Sequence, residues 1–462
     1  MRLPFLDREG ERRRLRRALR ASEGAFCCLY GRRRCGKSRL MRETLPKGRS
    51  VYYVGDEREA GLQRAAVAEA IGELLPGFAD VDYADWHALL RRWWREAPNG
   101  AVLALDEFPY LVRVSPELPS LLQKSLDANQ ARPVHLVLAG SSQRMMQGLV
   151  LDESEPLYGR AREIMKIEPL GVAWLPKAMG MKKWRDALEA YAVWGGVPRY
   201  WELACDYGSL WKAIETLTLD PLGVLHHEPE RLLLDDMRDT IQSSSILALV
   251  GQGCHRLSEI AARLGKPSTS LTRPVQRLLG LGLLKRDVPF GQNPRSSKST
   301  IYTVADPFLA FWFRFVDPNR SRLGAGALHA VKPAVKKRFP QHVGAIWEHL
   351  VRAAVPRSAV LGKEWNPAHR WWGAGLDRKR LEIDVVAESL DGRILLVGEA
   401  KLRVSRREVP GALAQLGAKA ERLPFAEAYA EIRPILFTPE CDTPASAEGN
   451  LATAEDVLPA LT

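Results

Sequence analysis

The sequence predicts a multidomain α/β protein, and three patterns along the chain support that fold class. Short apolar strands alternate with helical stretches between residues 26 and 140, three helical stretches precede two short strands between residues 246 and 304, and residues 381–401 read as strand, turn and strand. At 462 residues the chain exceeds the size of one ordinary core, so several domains are expected.

Changes in this pattern suggest where the domains begin and end. The runs AFCCLYG, SVYYVG, AVLALDE and VHLVLAGSS all lie before residue 170. Strands that are apolar on both faces belong to parallel sheets covered by helices on two sides, so residues 1–170 are predicted to form such a core. We expect only helices in residues 171–245, a winged helix in residues 246–304 and a further α/β domain in residues 305–462.

Composition and charge narrow the class of protein. Hydrophobic residues make up 46% of the chain, no run of 18 apolar residues occurs, and the N-terminal segment lacks the apolar stretch of a secretory signal. We therefore expect a cytoplasmic protein without membrane contact.

The net charge of +12 is concentrated in residues 1–50, which hold 16 Lys/Arg and 5 Asp/Glu. There the arginines of residues 12–20 fit either a solvated helix face, with Leu15, Ala18 and Leu19 turned inward, or a DNA contact.

The most specific motif is GRRRCGKS, which matches G-x-x-x-x-G-K-[ST] in full between a predicted strand and a predicted helix. Backbone N–H groups of such a loop and the helix N-terminus surround phosphate oxygens. Its lysine reaches the β- and γ-phosphates, and its Ser hydroxyl ligates Mg²⁺. The nucleotide-binding residues predicted here are Gly31, Arg32, Arg33, Arg34, Cys35, Gly36, Lys37 and Ser38.

A pair of carboxylates supports the phosphate site independently. Asp106 and Glu107 end the apolar strand of AVLALDE. In phosphoryl-transfer sites an aspartate so placed holds Mg²⁺, and a neighbouring carboxylate orients the attacking water. We therefore expect Asp106 to bind the metal and Glu107 to act in catalysis.

In order along residues 3–205, the blocks FLDREGERRRLRRAL, LYGRRRCGKSRLM, LALDEFPYLV, LVLAGSS, EPLYGRAREI and VWGGVPRYW resemble archaeal-type ATPases of the AAA+/STAND group. The resemblance implies that the nucleotide is ATP and that residues 171–245 form a lid. It also implies that Ser141 or Ser142 senses the γ-phosphate. Arg160 would stabilise transition-state charge, either within its own chain or from a neighbouring subunit of a homo-oligomer.

Residues 256–298 carry a local excess of positive charge in the predicted winged helix. Glu259 and Asp287 are the only acidic residues there. Such a module contacts DNA through its recognition helix and wing, or serves as a protein–protein element. Pro274 falls within the recognition helix, so we expect that helix to begin late, with Thr272 as its N-cap, or to bend. The basic residues are Arg256, Arg263, Lys266, Arg273, Arg277, Lys285, Arg286, Arg295 and Lys298.

The stretch LEIDVVAESLDGRILLVGEAK places charged residues in an apolar hairpin. Its Asp-Gly pair predicts a two-residue type I′ turn, which sets Asp384 opposite Glu399 and Glu382 opposite Lys401. Because side chains alternate along a strand, Val386, Leu395 and Val397 are expected on the same face as these charges, and Leu381 and Ile383 on the opposite, apolar face. Facing carboxylates repel unless a cation lies between them. The arrangement fits a divalent metal held by Asp384 and Glu399, with Lys401 activating water. It also fits a solvent-facing charged surface that Lys401 neutralises.

The pattern D-x14-E-x-K on a hairpin is the layout of restriction-endonuclease-like nucleases. The blocks YTVADPFLAFWFRFVDPNRS, AIWEHLV, RWWG, LEIDVVA and LLVGEAK resemble the C-terminal domain, of uncharacterised function and considered nuclease-like, that is often fused to these ATPases. In that resemblance Glu348 matches a further acidic metal ligand. On its own, Glu348 is equally consistent with an exposed helix position.

Together these features predict a Mg²⁺-dependent ATPase whose nucleotide state controls a DNA-binding winged helix and a metal-dependent nuclease-like domain. The competing interpretation is a nucleotide-switched regulatory or scaffold protein whose nuclease-like domain is inactive. ATP, Mg²⁺, a second divalent metal and DNA are the expected ligands.

Overall fold

The computed structural model describes residues 3–236, 240–293, 297, 299–440 and 449–462. These residues divide into two compact units. The first consists of residues 7–169 with 234–236, and the second of residues 3–6, 170–233 and the described residues from 240 onward.

The first unit is an α/β layer structure in which helices connect five strands. Its predicted strands at the four apolar runs are confirmed, and a fifth strand, β5, was not foreseen. The elements are α1 (Glu9–Ala18), β1 (Phe26–Tyr30), α2 (Lys37–Thr44), β2 (Ser50–Val54), α3 (Ala60–Gly72), α4 (Trp86–Glu96), β3 (Val102–Asp106), α5 (Phe108–Val114), α6 (Leu118–Ala128), β4 (His135–Gly140), α7 (Gln143–Leu151) and β5 (Glu163–Lys166).

The five strands pair in the order β2-β3-β4-β1-β5, and every pairing is parallel. All residues of β1, β3 and β4 are buried, as expected for central strands with helices on both faces. Because the strands run in one direction, their carboxyl ends share one edge of the sheet. There the loop after β1 and the carboxylates after β3 flank the end of β4.

Helix α1 confirms the inward face predicted for the N-terminal arginine-rich segment. Leu15, Ala18 and Leu19 are buried, while the charged side of the helix pairs with the sheet's edge strand. Arg14 and Arg17 both form ion pairs with Glu163 in β5. This part of the arginine excess is therefore engaged in the protein itself.

The second unit begins with helices, in agreement with the absence of predicted strands in residues 171–245. A π-helical turn at Glu215–Leu219 lies between the fourth and fifth of them. They are α8 (Leu175–Met179), α9 (Trp184–Trp194), α10 (Pro198–Ala204), α11 (Leu210–Ile214) and α12 (Glu228–Asp236).

Three helices and an antiparallel hairpin then follow in the predicted order: α13 (Thr240–Gly251), α14 (Leu257–Arg263), α15 (Ser268–Gly280), β6 (Leu284–Asp287) and β7 (Ile301–Val304). Helix α15 runs through Pro274, so the late start at Thr272 is wrong. A proline removes one helical hydrogen bond, and the buried contacts of Leu271, Val275 and Leu278 offset that loss. Arg295 and Lys298, predicted for the wing, lie outside the described residues.

The C-terminal part contains a second five-stranded sheet, of order β12-β11-β10-β9-β8. Strands β8, β9 and β10 are antiparallel neighbours, and β11 joins β10 in parallel after a helical crossover. The strands β8 and β12 were not foreseen. The elements are α16 (Pro307–Phe311), α17 (Arg320–Gly324), α18 (Leu328–Ala354), β8 (His369–Ala374), β9 (Arg380–Glu388), β10 (Ile394–Ala400), α19 (Val409–Ala420), β11 (Glu431–Phe437), β12 (Leu451–Ala452) and α20 (Ala454–Val457).

The hairpin of β9 and β10 follows the predicted register as far as the pair Val385 and Gly398, where the pairing ends before Asp384 and Glu399, and its turn differs from the predicted one. Glu388 pairs with Leu395, and Val385 pairs with Gly398. Gly392 has a φ of 69°, whereas Asp391 does not have a positive φ, so the turn is not type I′. The N–H of Gly392 bonds to the carbonyl of Ser389, which makes a wider loop that keeps the same pairing.

A β-bulge interrupts β9 at the predicted metal ligand. Between His369 and Trp371, one residue of β8 opposes two residues of β9, Asp384 and Val385. An extra residue of this kind shifts the alternation of side chains along the strand by one position.

The prediction of which side chains lie on each face of the hairpin, which assumed strict alternation along both strands, is therefore wrong. Val386, Leu395 and Val397 were expected on the polar face, yet they lie in the core cluster that also contains Leu381 and Ile383. The bulge explains this outcome because it brings residues of opposite parity onto one face of the sheet.

No helix in the described part of the chain has both the length and the apolar character that a membrane crossing needs.

Candidate functional site

The loop of residues 31–38 has the backbone conformation of a tight phosphate-binding turn. Gly31 has a φ of 147°, and a Cβ at this position would lie 2.4 Å from the carbonyl oxygen of Ile167, so only glycine fits. Gly36 has a φ of 93° and forms the N-cap of α2. The predicted arrangement of buried strand, loop and helix is present.

Lys37 is buried at the start of α2, with 4% of its surface exposed. Its ammonium group donates to the carbonyl oxygens of Gly31 at 2.7 Å and Arg32 at 3.1 Å. The lysine therefore folds back over its own loop, where a phosphate in the loop would meet its charge.

Tyr52 connects the two predicted magnesium ligands. Its hydroxyl donates to Oδ2 of Asp106 at 2.6 Å. The side chain of Ser38 lies near the same hydroxyl and acts to lower the pKa of Tyr52. Burial, followed by the Asp106 carboxylate, raises the pKa of Tyr52. Ser38 and Asp106 therefore both lie beside the Tyr52 hydroxyl, and both offer the oxygen donors that Mg²⁺ prefers. The sequence pattern does not indicate this role for Tyr52, because a tyrosine in VYYV reads as a strand core residue.

Glu107 and Ser141 are also brought together. Oε2 of Glu107 accepts hydrogen bonds from the backbone N–H of Ser141 at 3.0 Å and from its hydroxyl at 2.8 Å. Glu107 adopts a left-handed backbone conformation, with φ 49°, which costs free energy for any residue other than glycine. The end of β3 and the end of β4 are therefore linked directly at the sheet edge. Ser142, the alternative sensor, instead caps α7.

Arg160 is engaged with a neighbouring carboxylate. Its Nε and Nη2 bond to the two carboxylate oxygens of Asp127 at 2.8 and 2.9 Å, and Nη1 bonds to the carbonyl oxygens of Pro156 and Tyr158. The fork geometry of arginine suits this two-pronged pairing. Its predicted role toward the nucleotide stays a prediction.

In the second unit, Asp384 and Glu399 have different partners. Oδ2 of Asp384 accepts from the backbone N–H of Ala400 at 3.1 Å. The carboxylate of Glu399 lies 3.4 Å from the ammonium groups of both Lys401 and Lys419. Burial raises the pKa of Asp384, and the Glu399 carboxylate adds to that shift. The hairpin charges are therefore near one another, with Lys401 paired to Glu399.

Glu348 on α18 is half-buried rather than exposed. Burial, and then the Asp384 carboxylate, raise its pKa to about 7. Arg352, one helical turn later, is 3.9 Å away and also donates to the carbonyl oxygen of Asp384 at 2.9 Å. Across the described residues, no three His, Cys, Asp or Glu side chains are grouped so as to hold a metal ion. The set of Asp384, Glu399 and Glu348 as metal ligands stays a prediction.

Most described basic residues of the three-helix segment face solvent. On α15, Arg273 and Arg277 are exposed on the side opposite its buried leucines and valine. Lys285 differs because its ammonium group lies 3.2 Å from Nδ1 of His349 on α18. The other exposed basic residues are Arg256, Arg263, Lys266 and Arg286.

Two parts of the chain match known families. Residues 5–203 match an ATPase domain found predominantly in Archaea, and residues 312–411 match archaeal and bacterial proteins of unknown function. The predicted resemblances to an archaeal-type ATPase and to its fused C-terminal domain are thereby confirmed. The chain carries an ATPase domain of the archaeal type, followed by a separate β-rich C-terminal domain.

Comparison with individual proteins gives the same outline. The chain is 27% identical over 406 residues to the uncharacterized protein MJECL04 of Methanocaldococcus jannaschii, covering 86% of this chain and 87% of that protein. The Walker-type ATPase PABY2304 of Pyrococcus abyssi is 21% identical, with a TM-score of 0.52 over 67% of this chain and 96% of its own. Because the sequence identity to PABY2304 is only 21%, this similarity is evidence for a shared fold alone.

Proposed function

We propose that the chain binds ATP in the loop of residues 31–38 and hydrolyses it with Mg²⁺ held by Ser38 and Asp106. Glu107 orients the attacking water, and Ser141 holds that carboxylate in place. The observation that carries this proposal is the hydrogen bond from Tyr52 to Asp106, which lies beside the loop with Ser38 near the same hydroxyl. When bound, Mg²⁺ would neutralise charge that develops on the phosphates.

Nucleotide binding tests the proposal directly. Lys37→Ala should abolish binding of a fluorescent ATP analogue, because it removes the cation expected to contact the β- and γ-phosphates. Lys47→Ala, which removes an exposed cation just after α2, is the matched control and should bind as the parent does. Equal binding by Lys37→Ala and the parent would contradict the site.

We propose further that the nucleotide state governs activity of the second unit on DNA. The support for DNA binding is the exposed pair Arg273 and Arg277 on α15, spaced one helical turn apart beside further exposed basic residues. Recognition helices use such residues to contact phosphates and base edges.

Salt dependence measures this contact. The double variant Arg273→Gln and Arg277→Gln should weaken binding of duplex DNA and lower the slope of log K against log salt by about 2, since about 0.9 counterions are released per phosphate contact. Lys337→Gln removes an exposed charge on α18 and should leave the slope unchanged. A slope unaffected by the double variant would rule out α15 as the DNA contact.

For the C-terminal domain we propose a metal-dependent nuclease-like site at Asp384, Glu399 and Lys401. Its support is the hairpin pairing that leads up to Asp384 and Glu399, the bulge at Asp384 and the proximity of Glu348 to Asp384. The competing function is a nucleotide-switched scaffold with no cleavage. That alternative is favoured by the pairing of Glu399 with two lysines, which satisfies its charge without metal.

Cleavage assays separate these two functions. Supercoiled plasmid should be nicked in the presence of ATP with Mg²⁺ or Mn²⁺, and nicking should stop in Asp384→Asn and in Glu399→Gln. Glu364→Gln, an exposed carboxylate before β8, should cleave as the parent does. If no DNA or RNA is cut under any of these conditions, the scaffold function is the correct one.

A further inference from the structure

A charged cavity of about 150 Å³ lies in the second unit, and of the side chains used in the functions proposed above it is lined by Glu348 alone. Its walls come from α13, the β6–β7 hairpin, the segment after α16, helix α18 and strand β8. Four cationic side chains line it, against two carboxylates, Asp287 and Glu348. The cations are Lys285, Arg314, Arg352 and Arg370.

These cations are incompletely neutralised by their neighbours. Arg314 donates to the neutral side chain of Gln341 at 2.6 Å. Arg352 is 3.9 Å from the Glu348 carboxylate, which is too long for a hydrogen bond. Burial lowers the pKa of Arg314 and of Arg352. Each cation loses more hydration free energy on burial than it gains from its neighbouring groups.

Arg370 and Lys285 are the other two cationic donors that line the cavity. Arg370 pairs with Glu382 through Nη2, yet its Nε is buried and has no hydrogen-bond partner among the described residues. Lys285 lies 3.3 Å from the carboxylate of Asp287. Burial lowers the pKa of Lys285 as it does those of the arginines.

His349 adds a neutral donor. Its Nδ1 lies 3.2 Å from the Lys285 ammonium group, which can only donate, so Nδ1 is the acceptor and the proton resides on Nε2. Burial, followed by the charges of Lys285 and Arg352, lowers the pKa of His349 to about 3. The imidazole ring of His349 therefore stays neutral, and its Nε2–H group is available as a hydrogen-bond donor.

Size and chemistry select the ligand. Pockets for drug-sized molecules are roughly 300–1,000 Å³, so this cavity excludes a whole nucleoside. The cavity is nevertheless large enough for several waters or for one phosphate group, which has five heavy atoms. Arginine forks and lysine match phosphate oxygens in geometry and charge.

We propose that this cavity binds a phosphate monoester dianion through Lys285, Arg314, Arg352 and Arg370. The phosphate is either a small free phosphate or the terminal phosphate of a nucleic-acid strand. The proposal does not depend on ATP hydrolysis or on DNA cleavage. It connects the hairpin of β6 and β7 to α18, because Lys285 on β6 and Arg352 on α18 line the same cavity.

Calorimetric titration of the full-length chain with sodium phosphate tests the site. All proteins carry Lys37→Ala, so that the loop of residues 31–38 does not contribute, and sodium chloride keeps the ionic strength constant. Lys285→Met should weaken phosphate binding at least tenfold, whereas Lys285→Arg should stay within about threefold of the parent because it retains the charge. Lys337→Met, which removes an exposed lysine elsewhere on α18, is the matched control.

Arg314→Gln, on a different wall, provides a second variant and should also weaken binding at least tenfold. The proposal is overturned if the parent shows no binding, if Lys285→Met and Arg314→Gln bind like the parent, or if Lys337→Met loses as much affinity as they do. Circular dichroism and thermal melting of each variant establish that the lost affinity is not lost folding.

Displacement experiments distinguish the two sources of phosphate. A 5′-phosphorylated oligonucleotide that displaces inorganic phosphate, while its 5′-hydroxyl counterpart does not, identifies a strand end. Displacement by glycerol phosphate, but by neither oligonucleotide, identifies a small free phosphate. Equal displacement by both oligonucleotides would indicate internal phosphodiesters and would contradict a monoester site.

Discussion

His342 on α18 offers a quantitative test of how the second unit is held together. The side chain is 2% exposed, and its Nε2 lies 2.7 Å from the carbonyl oxygen of Ala192 on α9. A carbonyl only accepts, so Nε2 carries a proton. Phe311 and Phe315 pack against the ring. Burial in this apolar setting lowers the pKa of His342 from 6.5 to about 4.

The sign of the pH effect follows from this depressed pKa. Between pH 6.5 and about 4 the unfolded chain takes up a proton at His342 that the folded chain does not. The free energy of unfolding therefore falls as the pH falls through this window. Integration of the linkage relation between about pH 7.5 and about pH 5.0 gives a loss of about 2 kcal/mol from this residue alone.

The assay compares urea unfolding of the parent and His342→Gln at these two pH values, followed by tryptophan fluorescence. Glutamine keeps a donor for the Ala192 carbonyl but does not titrate, so the parent should lose about 2 kcal/mol more than the variant on acidification. All other titrating groups are common to both proteins and cancel in the difference. Equal losses in the two proteins would refute the burial of a neutral His342 between α9 and α18.

Two further substitutions test the nucleotide site. Tyr52→Phe removes the 2.6 Å hydrogen bond to the buried Asp106 carboxylate and should lower the unfolding free energy of the nucleotide-free protein by about 1.5–3 kcal/mol, measured by urea unfolding. The loss should shrink with Mg²⁺ and ATP bound, and an unchanged stability without nucleotide would contradict the contact. Ser141→Ala keeps the backbone N–H bond to Glu107 and loses the hydroxyl bond, so kcat for ATP hydrolysis should fall at least tenfold while the Kd for ATP changes less than about threefold. A weakened Kd with normal kcat would instead assign Ser141 to binding.

Features that depend on neighbouring residues in the chain were predictable. The loop of residues 31–38 is predictable because its two glycines and its lysine stand at a fixed spacing between a buried strand and a helix. All of these features lie within a short stretch of the chain. The buried face of α1 followed from helical periodicity, since Leu15, Ala18 and Leu19 return to the same side every three to four residues.

The hairpin of β9 and β10 marks the limit of such inference. Its register was predictable because a short turn leaves few pairings. The bulge at Asp384 was not predictable, because an extra residue in a strand is set by the neighbouring strand β8, whose pairing no local pattern announces. The face on which each carboxylate lies therefore had to come from the structure.

By itself, the sequence determined the fold class, the phosphate loop, the carboxylates after β3 and the pairing of the C-terminal hairpin, all of which rest on short-range spacing. Only the tertiary structure decided that the Tyr52 hydroxyl bonds to Asp106, and that Lys285 turns toward His349 instead of solvent. These contacts join residues far apart in the chain. Long-range packing selects one such set from many that the same sequence pattern would permit, so their chemistry emerges only when the elements are assembled.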